Sequence, residues 1–269
     1  MSTFSNTPDP VAAIRPVIDD FLPASKSLAV GRYAFGIGGS YGKGTFDTSS
    51  DLDFRLYADA FPASDAEFWA VIKPLVDVWG QKGIKVDGVC PRTTGAVDTA
   101  LERYLAGDIQ PEPCIWSVWG YHLLPDLYYQ RPIEDPDGIV AGWKARLTPY
   151  PAKLKAAILK KHLGSLRYWR HDYHYASKVE RQDVVFLAGL SAHLVHDLMQ
   201  VLFALNEHYY VGDGSNLIFA ARFAHQPTDL AARVQYALYP PTSEHLYTVQ
   251  RDTLCELIDD VERLAKSLT

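Results

Sequence analysis

The sequence predicts an α+β chain. A small mixed-sheet α/β domain spans residues 1–110, a connecting region spans 111–151, and an all-helical C-terminal domain spans 152–269. Three observations predict this. Apolar residues alternate with a period of two in short runs before residue 91. They recur with a period near 3.6 in long runs after Ala152. Between these regions prolines, aspartates and aromatic residues interrupt both periods.

The elements follow in order. The first dozen residues read as loose. Val11, Ile14, Val17, Ile18 and Phe21 share one helical face, and Pro23 is expected to end that helix. Tyr33, Phe35 and Ile37 alternate along a strand, 32–37, which runs into a glycine-dense loop, 36–44. Over 51–57, Leu52, Phe54 and Leu56 alternate with Asp51, Asp53 and Arg55, so a second strand carries its acids on one face. A helix is expected over 64–79, opened by a capping box between Ser64 and Glu67. A third strand is expected over 84–90 and a further helix over 98–105. Long helical stretches are expected over 152–171, 182–209 and 242–268, punctuated by Pro227, Pro240 and Pro241.

Composition narrows the function classes. Of 269 residues, 48% are hydrophobic and 22% charged, which suits a folded chain with a substantial core. The net charge of -6 argues against stable nucleic-acid binding, which needs clustered Lys and Arg. Lys153, Lys155, Lys160, Lys161, Arg167 and Arg170 lie on a helical stretch and read as a solvated face. Cys90, Cys114 and Cys255 are odd in number and far apart, as in a reducing compartment. The polar start of the chain lacks the pattern of a signal peptide, and no run reaches the roughly 18 apolar residues that span a membrane. A cytoplasmic protein without a membrane partner is therefore expected. The sequence leaves its oligomeric state open.

The chemistry concentrates between Gly38 and Asp53. Five glycines fall between Gly36 and Gly44, immediately after a strand. Gly38 and Gly39 let backbone approach a phosphate, and the Ser40 hydroxyl supplies a hydrogen bond. Lys43 either steadies a phosphate or is a solvated loop lysine. Asp51 and Asp53, two apart on a strand, suit hard divalent cations that bridge carboxylates to phosphates. Two magnesium ions held about 4 Å apart would clamp the attacking and leaving oxygens of a phosphoryl displacement. Asp87 is the candidate third carboxylate, and Gly88 beside it is expected to leave room for a ligand. A P-loop is excluded because Lys43 is followed by Gly44 instead of Ser or Thr. A dinucleotide fold is disfavoured because the acid pair lies on the very next strand.

Gly39-Ser40, then Gly44, then Ser50-Asp51-Leu52-Asp53 resembles the signature of the polymerase-beta-like nucleotidyltransferase superfamily. It is similar to the small bacterial branch that modifies aminoglycosides and lincosamides. The motif covers residues 39–53, and the implied topology about the first 110. Leu205-Asn206-Glu207-His208-Tyr209-Tyr210 also looks like a segment in uncharacterised relatives. The resemblance implies a nucleotidyltransferase domain in which Asp51, Asp53 and Asp87 bind two Mg2+ ions. Gly38, Gly39, Ser40, Lys43, Gly44 and Ser50 would line the site of ATP or another nucleoside triphosphate. The expected reaction moves a nucleoside monophosphate, AMP first among the candidates, to a hydroxyl of a small-molecule acceptor. Asp87 or Glu102 would serve as base, in an acceptor pocket expected between the two halves. Modification of a protein or RNA, and a non-catalytic nucleotide-binding protein, stand as alternatives.

Two further groups read as structural. His171 and His174, and His193 and His196, are spaced three apart beside Asp172 and Asp197, but no third zinc ligand follows at fixed spacing. Trp116, Trp119, Tyr121, Tyr128 and Tyr129 read mainly as packing, with an aromatic wall for an acceptor or base as the alternative.

Overall fold

The computed structural model describes residues 10–61, 64–111, 113, 120–212, 214–242 and 245–268. The fold is α+β: a four-stranded mixed sheet with helices, and a helical C-terminal region. In chain order the first elements are α1 (Pro10–Ala13), α2 (Arg15–Ser27), β1 (Val30–Ile37), α3 (Gly39–Lys43), β2 (Leu52–Ala60), α4 (Asp65–Gln81), β3 (Val86–Thr93) and α5 (Thr94–Ala106). They are followed by α6 (Leu123–Tyr129), β4 (Arg131–Glu134) and α7 (Ile139–Arg146). The C-terminal region holds α8 (Ala152–His171), α9 (Tyr173–Glu180), α10 (Val184–Leu205), α11 (Asn216–Ala220), α12 (Leu230–Leu238) and α13 (Leu246–Leu268).

The chain divides into two compact units, Met1–Glu102 with Asp126–Pro149, and Arg103–Pro125 with Tyr150–Thr269. The segment read as a connecting region, 111–151, is thus shared between them. Its part in the first unit includes β4, a four-residue strand that completes the sheet. Pro132 hides that strand from a sequence reading, yet it is tolerated because β4 lies at the sheet edge.

In the first unit the strand order is β3-β2-β1-β4. β1 pairs antiparallel with β2 and β4, while β2 and β3 are parallel across the α4 crossover. The alternation read in the sequence sets the layers. Phe35, Ile37, Leu52, Phe54 and Leu56 join Val17, Ile18 and Phe21 of α2, and Phe68 and Ile72 of α4, in one apolar core. Phe54 stacks against Phe35 and meets Phe21, each with ring centroids 5.1 Å apart. At about 25 cal/mol per Å2 of apolar surface, each such side chain contributes about 1.5–3 kcal/mol on burial. α4 opens with the expected capping box: Ser64 accepts from the Glu67 backbone N–H, and the Glu67 carboxylate accepts from that of Ser64.

Pro23 does not end the first helix. It lies inside α2, which runs on to Ser27. Proline in a helix interior costs about 3 kcal/mol. Burial of Val17, Ile18, Phe21 and Ser25 on the same helix opposes that cost.

In the second unit α10 packs against α8, α12 and α13. Leu154, Leu166, Leu194, Leu198, Leu254 and Ile258 are all buried there. Contrary to the sequence reading, α10 is long and apolar enough to cross a membrane by length and composition alone. More than half of its most apolar stretch is buried inside the fold, the condition of a core helix. Of the basic run on α8, Lys155 pairs with Glu207, Arg167 with Glu262 and Arg170 with Asp259, while Lys161 lies over the Tyr121 ring.

Candidate functional site

The glycine loop and the acidic strand meet. The Gly38 N–H donates to the Asp53 carbonyl at 2.8 Å, which fastens the entry of α3 to the start of β2. Gly39, at φ +53°, then lies directly against the Asp53 side chain: a Cβ there would stand 1.8 Å from Oδ2. Glycine is required at this position on two counts, its backbone conformation and the space taken by the carboxylate. The segment Gly39–Lys43 forms a turn of helix instead of an open loop, and Gly44, at φ +71°, closes it.

Ser40 sits inside that turn, and its Oγ is buried without a hydrogen-bond partner. A buried hydroxyl left unpaired costs about 1–3 kcal/mol. Lys43 ends the same turn. Ser50 is engaged locally: its Oγ accepts from the Asp47 N–H and donates to Asp47 Oδ1, which shapes the turn before β2.

The three acids fall on two neighbouring strands. Asp51 is exposed and stands one residue before β2, while Asp53 is half-buried on it. Across the parallel pair, Leu52 is in register with Val86 and Asp53 with Gly88, so the exposed Asp87 is the extra residue of a bulge. Such bulges re-aim side chains. Burial pushes the Asp53 carboxyl up to about 6. Arg55 opposes that rise, and Asp51, Asp87 and Asp126 add to it. Among the described residues no three His, Cys, Asp or Glu side chains are gathered into a metal cage. The acids meet instead through their charges, since both Asp51 and Asp87 act on Asp53. Carboxylate oxygens of this kind are the ligands that Mg2+ takes.

Gly88 does not leave open room for a ligand, as the sequence suggested. At φ +129°, a Cβ there would lie 2.7 Å from Cη2 of Trp69, so the indole of α4 rests on this glycine.

Beneath Asp53 the polar side of the strand is closed. Arg55, read in sequence as part of an acidic face, is buried. Its Nε donates to both Asp126 oxygens at 2.9 and 3.0 Å, and its Nη1 lies 3.8 Å from Asp53 Oδ1. Arg92 Nη1 donates to Asp126 Oδ2 at 3.0 Å. Burial alone would pull the Arg55 guanidinium down, but Asp126 and Asp53 hold it above its ordinary value. Asp53 therefore ends a chain of charges running through Arg55 and Asp126 to Arg92. Nearby, burial raises the Tyr57 hydroxyl, whose oxygen has no hydrogen-bond partner. Gln130 is fully buried and leaves both amide atoms unpaired, with Oε1 beside Gly36. The sequence carried no periodic signal for Arg92, Asp126 or Gln130. Asp126 sits in an apolar run, 71 positions from Arg55.

The other candidates are placed elsewhere. Glu102, the second candidate base, is exposed on α5 in the first unit and pairs with Arg146 at 2.6 Å. His174 and Asp172 pair at a helix start. Asp197 is buried between His193 and a histidine the sequence reading passed over, His162, whose Nε2 faces the Tyr121 hydroxyl at 2.8 Å. His196 Nδ1 lies 2.6 Å from the Tyr210 hydroxyl. Tyr128 and Tyr129 meet edge to face. Cys90 and Cys255 are free thiols. Trp116, Trp119 and Cys114 lie outside the described residues.

A family model described as a domain of unknown function, DUF4037, matches residues 128–213. That is less than half of the 269-residue chain and excludes the segment from Gly38 to Asp53. No curated protein matches the chain.

Proposed function

We propose that the first unit is a nucleotidyltransferase of the polymerase-beta-like type, moving a nucleoside monophosphate from a magnesium–nucleoside triphosphate to an acceptor hydroxyl. The observation that carries this reading is the contact between Asp53 and Gly39, where a Cβ would stand 1.8 Å from the carboxylate. It joins a phosphate-type turn to an acidic strand. The unpaired Ser40 Oγ supports it, because a triphosphate oxygen would give that hydroxyl the partner it lacks.

In this reading Asp51, Asp53 and Asp87 hold two Mg2+ ions. When bound, the ions neutralise charge on the pyrophosphate leaving group and lower the pKa of the acceptor hydroxyl. The protein's own groups do the rest. Ser40 donates to a phosphate oxygen, and Gly38 and Gly39 let the chain approach it without a side chain in the way. Lys43, at the end of the same turn, adds positive charge. Arg55, fixed by Asp126, keeps the Asp53 carboxylate in one orientation. Asp87, exposed at its bulge, accepts the proton of the acceptor hydroxyl. The acceptor is proposed to be a small molecule of the aminoglycoside or lincosamide kind, and AMP is the proposed group transferred. Protein or RNA modification is the alternative acceptor class.

The test is pyrophosphate release with each of the four nucleoside triphosphates and Mg2+, against aminoglycosides, lincosamides, bulk RNA and unfolded protein. Acceptor-dependent release that disappears in Asp51→Ala/Asp53→Ala supports the proposal and names the acceptor class. Release that survives the double substitution would refute the assignment of these acids.

A further inference from the structure

The second unit holds a cavity of about 450 Å3 walled by α10, α11 and α12. Its walls are fixed by the core. Phe203 of α10 meets Phe219 and Phe223, with ring centroids 6.3 and 4.8 Å apart, and Ala220, Leu230 and Val234 are buried. Val195 and Met199 of α10, Leu217 of α11, and Val234 and Leu238 of α12 make the lining largely apolar. The lining also includes His196 and Tyr210, whose Nδ1 and hydroxyl oxygen lie 2.6 Å apart. Burial holds the His196 imidazole below its ordinary value, so at neutral pH it brings no charge. None of the described residues that line the cavity is Lys, Arg, Asp or Glu. Ile218 and Tyr239, on the same lining, are 55% and 81% exposed, so the fold leaves apolar surface uncovered here.

We infer that this cavity binds an uncharged small molecule, with an apolar body and one hydrogen-bonding group that meets the His196–Tyr210 pair. Size sets the first part of the assignment. Small-molecule sites hold about 300–1,000 Å3 and are mostly apolar, with a few polar groups that fix orientation. The chemistry of the lining sets the rest. A charged ligand would lose its hydration without meeting an opposite charge, a cost that apolar contact does not return. An apolar ligand instead displaces water from side chains such as Ile218 and Tyr239, which the fold leaves wet. A neutral imidazole and a phenol hydroxyl each both donate and accept, so the pair orients a polar end without demanding charge. Ser40, Asp51, Asp53 and Asp87 all belong to the first unit, so this site stands or falls separately from the proposed triphosphate site.

The experiment is fluorescence titration of the whole chain with two probes that share one ring system. N-phenylnaphthylamine is uncharged, and anilinonaphthalene sulfonate carries a negative charge. The unchanged protein is compared with Ala192→Phe and Ala192→Asp. Ala192 lines the cavity yet is exposed on α10, so neither substitution enters the core, and thermal unfolding of each variant checks this. The expected result is saturable binding of the uncharged probe, about tenfold or more tighter than that of the sulfonate. Ala192→Phe fills the cavity and Ala192→Asp places a carboxylate in it, so each should weaken the uncharged probe about tenfold or more. Equal affinity for the two probes would overturn the assignment to an uncharged ligand. Binding that ignores both substitutions would overturn the location, and no saturable binding of the uncharged probe would overturn the site itself. A chain that sediments as a dimer and becomes monomeric in Ala192→Asp would overturn it too, because the occupant would then be a second copy.

Discussion

Replacing Asp53 with asparagine is expected to stabilise the metal-free protein at neutral pH. The carboxyl ordinarily titrates at 3.8 and is pushed up to about 6 in the fold, chiefly by burial. A folded state that holds its proton to higher pH than the unfolded chain loses stability as pH rises between those two values. From about pH 4 to above pH 6 the loss amounts to about 3 kcal/mol. Asparagine keeps the shape of aspartate and never ionises, so Asp53→Asn should escape this loss. The ion pair with Arg55 is already included, because it acts to lower the same pKa. Urea unfolding in the presence of a chelator checks the difference. Asp53→Asn should exceed the unchanged protein by about 3 kcal/mol at pH 8, with the gap closing as pH falls toward 4. Added Mg2+ should reverse the order at pH 8 by stabilising only the protein that retains the carboxylate. A variant less stable than its parent at pH 8, or a gap that ignores pH, would contradict burial as the source of the raised Asp53 carboxyl.

Other substitutions separate the roles of neighbouring residues. Ser40→Ala removes a hydroxyl that makes no hydrogen bond in the fold, so stability should hold or rise while triphosphate affinity drops about 10-fold or more, read by calorimetry. Asp126→Ala leaves the buried Arg55 without its main counter-ion, and chemical denaturation should show a loss of about 3–5 kcal/mol. Ser64→Ala breaks the capping box of α4 and should cost about 1 kcal/mol in the same assay, with no change in triphosphate binding.

The sequence exposed those parts of the fold that rest on local periodicity. Tyr33, Phe35 and Ile37 announced β1, the alternation from Leu52 to Leu56 announced β2, and Ser64 with Glu67 announced the start of α4. It concealed parts decided by tertiary contact. Pro23 lies inside α2, whose apolar face is buried against the sheet, and β4 is too short and proline-bearing to alternate visibly. The same division runs through the site. Gly39, Ser40 and Asp53 are near neighbours in sequence and could be read together. The partner that fixes Arg55, Asp126, comes from α6, and the bulge that carries Asp87 depends on how β3 pairs with β2. Neither leaves a local trace. Trp69 and Gly88 are 19 positions apart, and their contact likewise follows from the packing of α4 on β3.

Ser40, Asp51 and Asp53 are proposed to form one magnesium-dependent triphosphate site. Calorimetric titration of the whole chain with ATP, with Mg2+ and then with a chelator, tests it most directly. Saturable binding that requires Mg2+ and disappears in Asp51→Ala/Asp53→Ala is the expected result. Absence of binding to the unchanged protein, or binding indifferent to both Mg2+ and the two acids, would contradict it.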